Sequence, residues 1–212
     1  MSQQKAGSTQ TATTSPVQPK RNLQWRPIDI VIVAILGVAT GFIFVVWNNI
    51  GYAWFTTMDN LTPGLGGLAV GIWLLGGVLG GLIIRKPGAA IFVEVFAASV
   101  SAALGSQWGP ETLYSGLAQG LGAELIFLLF AYRKFNLLVA ILSGIGAGVG
   151  AWTLELFLSP NLAKSLEFNI IYLVCVAISG AILAGVVGFS LMKSLAKTGA
   201  LDRFPAGREH RV

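Results

Sequence analysis

The sequence predicts an all-α integral membrane protein, a bundle of six transmembrane helices with both termini on the cytoplasmic side. Three observations predict it. Of 212 residues, 54% are hydrophobic and only 11% charged, whereas soluble domains carry about 25% charged residues. The mean hydropathy is +0.73. The apolar residues fall into six long runs, and the cations gather on alternate loops between them.

The elements follow in order. Residues 1–26 include "SQQKAGSTQTATTSPVQPKRN", rich in Ser, Thr, Gln and Pro. This stretch cannot bury enough apolar surface to offset its ordering entropy, so a disordered cytoplasmic tail is expected. It lacks the short apolar run and cleavage site of a signal peptide. A membrane domain is expected over 27–196. Crossing ~30 Å of hydrocarbon takes ~20 apolar residues. The approximate spans are 28–50, 65–84, 88–105, 116–132, 135–158 and 168–195. Backbone groups in lipid must be satisfied within the segment, so each span is a helix. The period-2 alternation of a barrel strand is absent. The turns "RKPG" and "YRKF" are short, which pairs spans two with three and four with five as hairpins. Pro87 suits the first turn of the third helix, where its missing N–H would have no partner. The other loops, 51–64, 106–115 and 159–167, are longer and contain Pro63, Pro110 and Pro160. Residues 197–212 form a basic cytoplasmic tail.

Thirteen of the fourteen cations lie in the two tails and the two tight turns, and Lys164 is the exception. That asymmetry places both termini inside the cell. The net charge of +5 therefore reports topology and headgroup contact with the bilayer, not nucleic acid. The lone Cys175 can form neither an internal disulfide nor a metal cluster. No G-x-x-x-x-G-K-[ST] phosphate loop is present, and "GIGAGVG" at 144–150 lies within a span without a preceding strand. No cofactor or metal is implied. With no His in a span and no nucleophile–base motif, an enzyme is not expected.

Small residues let membrane helices approach closely. Gly76, Gly77, Gly80 and Gly81 form two overlapping small-xxx-small pairs in span two. Ala34, Gly37, Val38 and Gly41 form one stripe on span one, suited to packing within the bundle or to docking another membrane subunit. Three carboxylates, Glu94, Glu124 and Glu155, lie within spans. An ionisable group at bilayer depth is costly and marks a function by default. Trp47, Trp54, Trp73, Trp108 and Trp152 fall in the outer half or outer loops, and only Trp25 is inner. Asn48, Asn49, Gln107 and Gln119 accompany them. Indole faces attract cations, and carboxylates accept strong charge-assisted bonds. An outward cavity so lined suits a flat, nitrogen-rich small molecule.

The stretches "WNNIGY", "GIWLLGGVLGGLIIRKPGAA", "EVFAAS", "GSQWG" and "QGLGAELIFLLFAYRKFN" resemble the YkoE family from about Arg26 to Leu195. Its members are substrate-binding S components of energy-coupling-factor (ECF) ABC transporters for thiamine or its hydroxymethylpyrimidine moiety. The resemblance implies a six-helix bundle in the bacterial cell membrane, without ATPase activity of its own. It implies an outer-face vitamin site, a transmembrane coupling (T) subunit and cytoplasmic ATPase partners. Many S components carry an Ala-xxx-Ala docking stripe on the first helix. The matching position here is Ala34 to Val38, which departs from that pattern but keeps its small-residue character.

The expected ligand residues are Trp47, Asn48, Trp73, Glu94, Gln107, Trp108, Gln119, Glu124 and Trp152: indoles to stack, amides to hydrogen-bond, Glu94 and Glu124 for charge-assisted contact. Gln119 and Glu124 stand roughly 140° apart around an ideal helix, so both line one pocket only if it is wide. The alternative is a stand-alone proton-coupled transporter in which Glu94 or Glu124 carries the proton.

Overall fold

The computed structural model describes residues 23–209, and no strand occurs among them. Of the tail expected to be disordered over 1–26, residues 1–22 lie outside this range, whereas Gln24, Trp25 and Arg26 are bonded to the bundle. Six apolar helices form the bundle: α1 Pro27–Leu61, α2 Leu65–Ile84, α3 Ala89–Ala103, α4 Glu111–Leu129, α5 Leu137–Leu158 and α6 Leu166–Lys197. A short α7, Pro205–Arg208, follows. Five are long enough to cross a membrane, and α3 is a shorter apolar helix of 15 residues.

Two helices begin or end away from their expected boundaries, for local reasons. α1 continues to Leu61, through residues expected as loop, because nothing between Gly51 and Leu61 breaks a helix and Pro63 is the first residue that would. α4 opens at Glu111, just after Pro110, with an acidic residue in the first turn where the helix dipole favours it.

α2 is the hub. Across its apolar window 83% of residues are buried, against 28% for α1. α1 packs on α3, α3 on α4, α4 on α5 and α5 on α6, and all of them touch α2. The two halves of α2 differ in geometry. Leu65–Leu74 winds as a 3₁₀-helix, unusually long for that form. Leu75–Ile84 is α-helical, and every residue of it is buried. α6 is also irregular, with a π-helical segment at Gly180–Val186.

The small-residue stripes pack inside the bundle. Gly76, Gly77, Gly80 and Gly81 are all buried. In the stripe of α1, Gly37 and Gly41 are buried, and a Cβ on Gly37 would lie 2.9 Å from Phe96 Cβ. Gly37 and Gly41 are thus spent on α3. Only Val38, 40% exposed, and the half-buried Ala34 remain toward the outside of the bundle.

One end of the bundle is sealed by charge, and we term it the basic end. Asp29 is wholly buried there, bonded to Lys86 and paired with Arg26 at 2.8 Å. Lys86 also donates to the Gln24 carbonyl at 2.5 Å, and Trp25 Nε1 donates to the Pro87 carbonyl at 3.0 Å. The last turns were expected as a tail. Up to residue 209 they fold onto this end instead, burying Leu201, Phe204 and Ala206. Glu209 meets the buried Arg85 at 2.6 Å, and the Arg85 guanidinium sits 4.7 Å from the centre of the Phe135 ring. His210 lies beyond the described residues.

Candidate ligand-binding site

The opposite end of the bundle is open. A cavity of about 330 Å³ enters among all six helices, a size suited to a small organic molecule. Its walls carry a chain of rings in contact. Trp73 meets Trp108 edge to face at 5.5 Å, and Trp108 meets Tyr52 at 5.6 Å. Tyr52 stacks on Phe55 at 6.1 Å, and Phe55 meets Tyr172 at 6.2 Å. Tyr172 stacks on Phe168 at 5.7 Å, with the Lys164 ammonium 3.8 Å from the Phe168 ring centre. Each ring is fixed by its neighbour, so the wall is stiff before any ligand arrives.

Polar groups punctuate this wall. Asn48 is buried and held on both sides. Its oxygen accepts from Trp73 Nε1 at 2.9 Å, and its nitrogen donates to Ser101 Oγ at 3.0 Å. An indole N–H can only donate, which settles the Asn48 amide orientation. One Asn48 N–H is left over for the cavity. Gln119 stands opposite. Facing its nitrogen to the Trp73 carbonyl at 3.0 Å and to Glu94 Oε1 at 3.2 Å satisfies the amide, and its oxygen then accepts from Ser115 Oγ at 2.7 Å. The reverse orientation would set oxygen against oxygen. Glu155 accepts from the Tyr172 hydroxyl near Lys164, and Glu111 lines the rim.

Four expected residues line this cavity: Asn48, Trp73, Trp108 and Gln119. Trp47 stands one layer behind, edge-on to Trp73 at 6.4 Å, with its indole N–H on the Ala69 carbonyl at 2.9 Å. Gln107 is exposed in the turn before α4, outside the lining. Trp152 packs against the core on α5, away from the cavity, and its indole nitrogen has no partner. Tyr52, Glu111, Ser115, Lys164 and Tyr172 line the cavity without having been singled out for it. The run of aromatics in "WNNIGYAWF" carried a signal for Tyr52. The others come from loops and helix ends that only folding brings together.

The two deep acids do something the sequence does not announce. Glu94, fully buried on α3, accepts from the main-chain N–H of Gly77. That N–H lies just past the junction of the 3₁₀ and α-helical halves of α2, where the hydrogen-bonding register changes. Gly76 and Gly77 have no side chains to hold the carboxylate away. Glu124, on α4, accepts from the Gly88 and Ala90 N–H groups at 2.7 and 2.8 Å, the opening of α3. Tyr132 donates to it as well, at 2.6 Å. Glu124 therefore caps the start of α3 from a neighbouring helix, at the positive end of its dipole, while Glu94 ties α3 to the 3₁₀–α junction within α2. Glu124 lies outside the cavity lining, on the side of α4 away from Gln119, as their angular separation requires. Glu94 lies directly beneath Gln119.

The fold and cavity define a membrane-embedded small-molecule permease component. A family model described as "ABC-type cobalt transport system, permease component" matches residues 28–150. A Bacillus subtilis (strain 168) protein provisionally named HMP/thiamine permease protein YkoE is 35% identical over 190 residues, covering 87% of this chain and 92% of its own. A crystal structure of an S-component of an ECF transporter superposes with a TM-score of 0.82 at 33% identity, covering 89% of this chain and 94% of that one. The chain belongs to this family of membrane permease components, as a YkoE-type S-component of the ECF class. These relatives are transport subunits, not enzymes.

Proposed function

We propose that this chain captures thiamine or its hydroxymethylpyrimidine precursor at the aromatic end of the bundle and delivers it to an ATP-driven importer. The basic end faces the cytoplasm in this reading, since Arg85, Lys86, Arg133 and Lys134 all lie there. The observation that carries the ligand class is the pairing of Asn48 and Gln119 across a cavity walled by rings. One offers an N–H and the other an oxygen. A flat aminopyrimidine presents the matching acceptor and donor at its edge and a π-face to Trp73 and Trp108. Glu111 and Glu155 against the single Lys164 leave the lining acidic, which suits the thiazolium cation of thiamine.

A T subunit and ATPases would supply the drive, as for the S-component relatives' class. The rival, a stand-alone proton-coupled transporter, needs an open acid at depth. Glu94 and Glu124 instead accept from main-chain N–H groups. Titration of the purified chain tests the ligand. Thiamine and hydroxymethylpyrimidine are expected to quench its tryptophan fluorescence and raise its melting temperature. Failure of both compounds on both readouts would sink the assignment. Uptake that follows a pH gradient in vesicles holding this chain alone would favour the rival.

A further inference from the structure

Buried hydrogen bonds have direction, and in this cavity the direction originates outside it. Glu94 is a carboxylate with two jobs. Oε2 accepts from Gly77 N–H, and Oε1 faces Gln119 Nε2 at 3.2 Å. Glu94 Oε1 and the Trp73 carbonyl face the same end of the Gln119 amide, and a carbonyl can only accept, so Gln119 turns its NH₂ inward. The second inward N–H of Gln119 goes to the Trp73 carbonyl at 3.0 Å. In an unbroken α-helix the Trp73 carbonyl and the Gly77 N–H would pair with each other. Here Gln119 takes the carbonyl and Glu94 takes the N–H, at the junction of the 3₁₀ and α halves of α2. Both Gln119 donors are thereby spent. Its oxygen takes the one hydrogen of Ser115 at 2.7 Å. What remains toward the cavity on this wall is lone pairs alone, on Gln119 and on Ser115.

We propose that Glu94 is a specificity-setting positioning residue: together with the Trp73 carbonyl it locks the Gln119 amide and, through it, the Ser115 hydroxyl, so that this wall accepts only and the site selects a heterocycle bearing an amino donor over its oxo counterpart. Glu94 never touches the ligand. It acts through a two-step relay that begins at the 3₁₀–α junction of α2. The inference rests on the aminopyrimidine reading above, and the experiment separates the two.

The probes are thiamine, hydroxymethylpyrimidine and the oxo analogue of the latter, in which a ring carbonyl and ring N–H replace the amino group and ring nitrogen. Affinities are read by tryptophan fluorescence on the purified full chain. The unmodified protein prefers the amino over the oxo compound by roughly tenfold or more, the worth of one mismatched buried hydrogen bond. In Glu94→Gln, the new amide gives its oxygen to Gly77 N–H and its NH₂ to Gln119. Gln119 is then no longer locked: with its NH₂ inward it opposes the new amide, and with its oxygen inward it opposes the Trp73 carbonyl. The amino-over-oxo ratio is expected to fall toward one. The exchange Glu94→Gln with Gln119→Glu keeps the charge and puts an oxygen back on the wall. It is expected to restore the amino preference, and it decides the matter if the single variant does not fold. Glu94→Gln weakening both ligands equally with the ratio unchanged, or a failed restoration in the folded exchange variant, overturns the relay while leaving the ligand class standing. If the unmodified protein binds none of the three probes, the ligand reading itself has failed.

Discussion

The two ends of this bundle spend their polar groups in opposite ways. At the basic end, charges meet charges. Asp29, Lys86 and Arg85 are buried and paired, and the C-terminal turn closes over them with Phe204 wholly inside. At the aromatic end, polar groups are tied on one side and open on the other. Asn48 and Gln119 are each fixed by Trp73, one at its indole and one at its carbonyl, while both still line the cavity. The first pattern makes a plug and the second a binding wall. The difference follows α2: its α-helical half is wholly buried, and its 3₁₀ half leaves carbonyls for the side chains of other helices to hold.

This contrast predicts two separable classes of variant. The largest effect is expected from Asp29→Ala, which strands the Lys86 ammonium inside the plug. Removing one partner of a buried pair costs about 3–5 kcal/mol, and thermal unfolding in detergent should show a large fall in Tm. Glu124→Ala comes next, because it leaves Gly88 N–H, Ala90 N–H and the Tyr132 hydroxyl without their acceptor. A loss of about 3 kcal/mol is expected, again read as Tm, with ligand affinity little changed in the fraction that folds. Trp108→Ala should reverse the pattern. Trp108 is 37% exposed, so little folding energy rests on it. Affinity for thiamine should nevertheless fall about tenfold through lost ring contact. The smallest effect is expected from Glu209→Ala, because this acid is 54% exposed and its pair with Arg85 is partly screened. A change within ~1 kcal/mol is expected. A basic-end variant that lowers affinity without lowering Tm would erase the distinction between plug and wall.

Much of this was legible in the sequence. Hydropathy marked six helices because lipid leaves the backbone no other solution. Asn48, Trp73, Trp108 and Gln119 stood out as amides and indoles at one end, and the cavity takes all four. Glu94 and Glu124 stood out too, since a charge in an apolar run is conspicuous, but their partners were not legible. A cap supplied by the same strand of sequence has a fixed spacing. A partner supplied by another helix has none, and Glu94 is 17 residues from Gly77 while Glu124 is 36 from Gly88. The same holds for the 3₁₀ and π segments. The 3₁₀ segment is tied to Ser179, at the entry to the π segment, which donates to the Leu68 carbonyl and accepts from Gly71 N–H across more than 100 residues. The docked C-terminal turn was missed because Leu201 and Phe204 sit among charges and read as tail.

The unequal helix lengths carry one more consequence, for the surrounding lipid. α1 has 35 residues and α3 has 15, so the two rise ~52 Å and ~22 Å. They pack side by side, and a bilayer of about 30 Å hydrocarbon can match neither. Thinning of the bilayer beside α3, with α1 tilting or extending beyond it, is one way to accommodate the pair. Its stability in nanodiscs should peak at one acyl-chain length and fall on both sides of it.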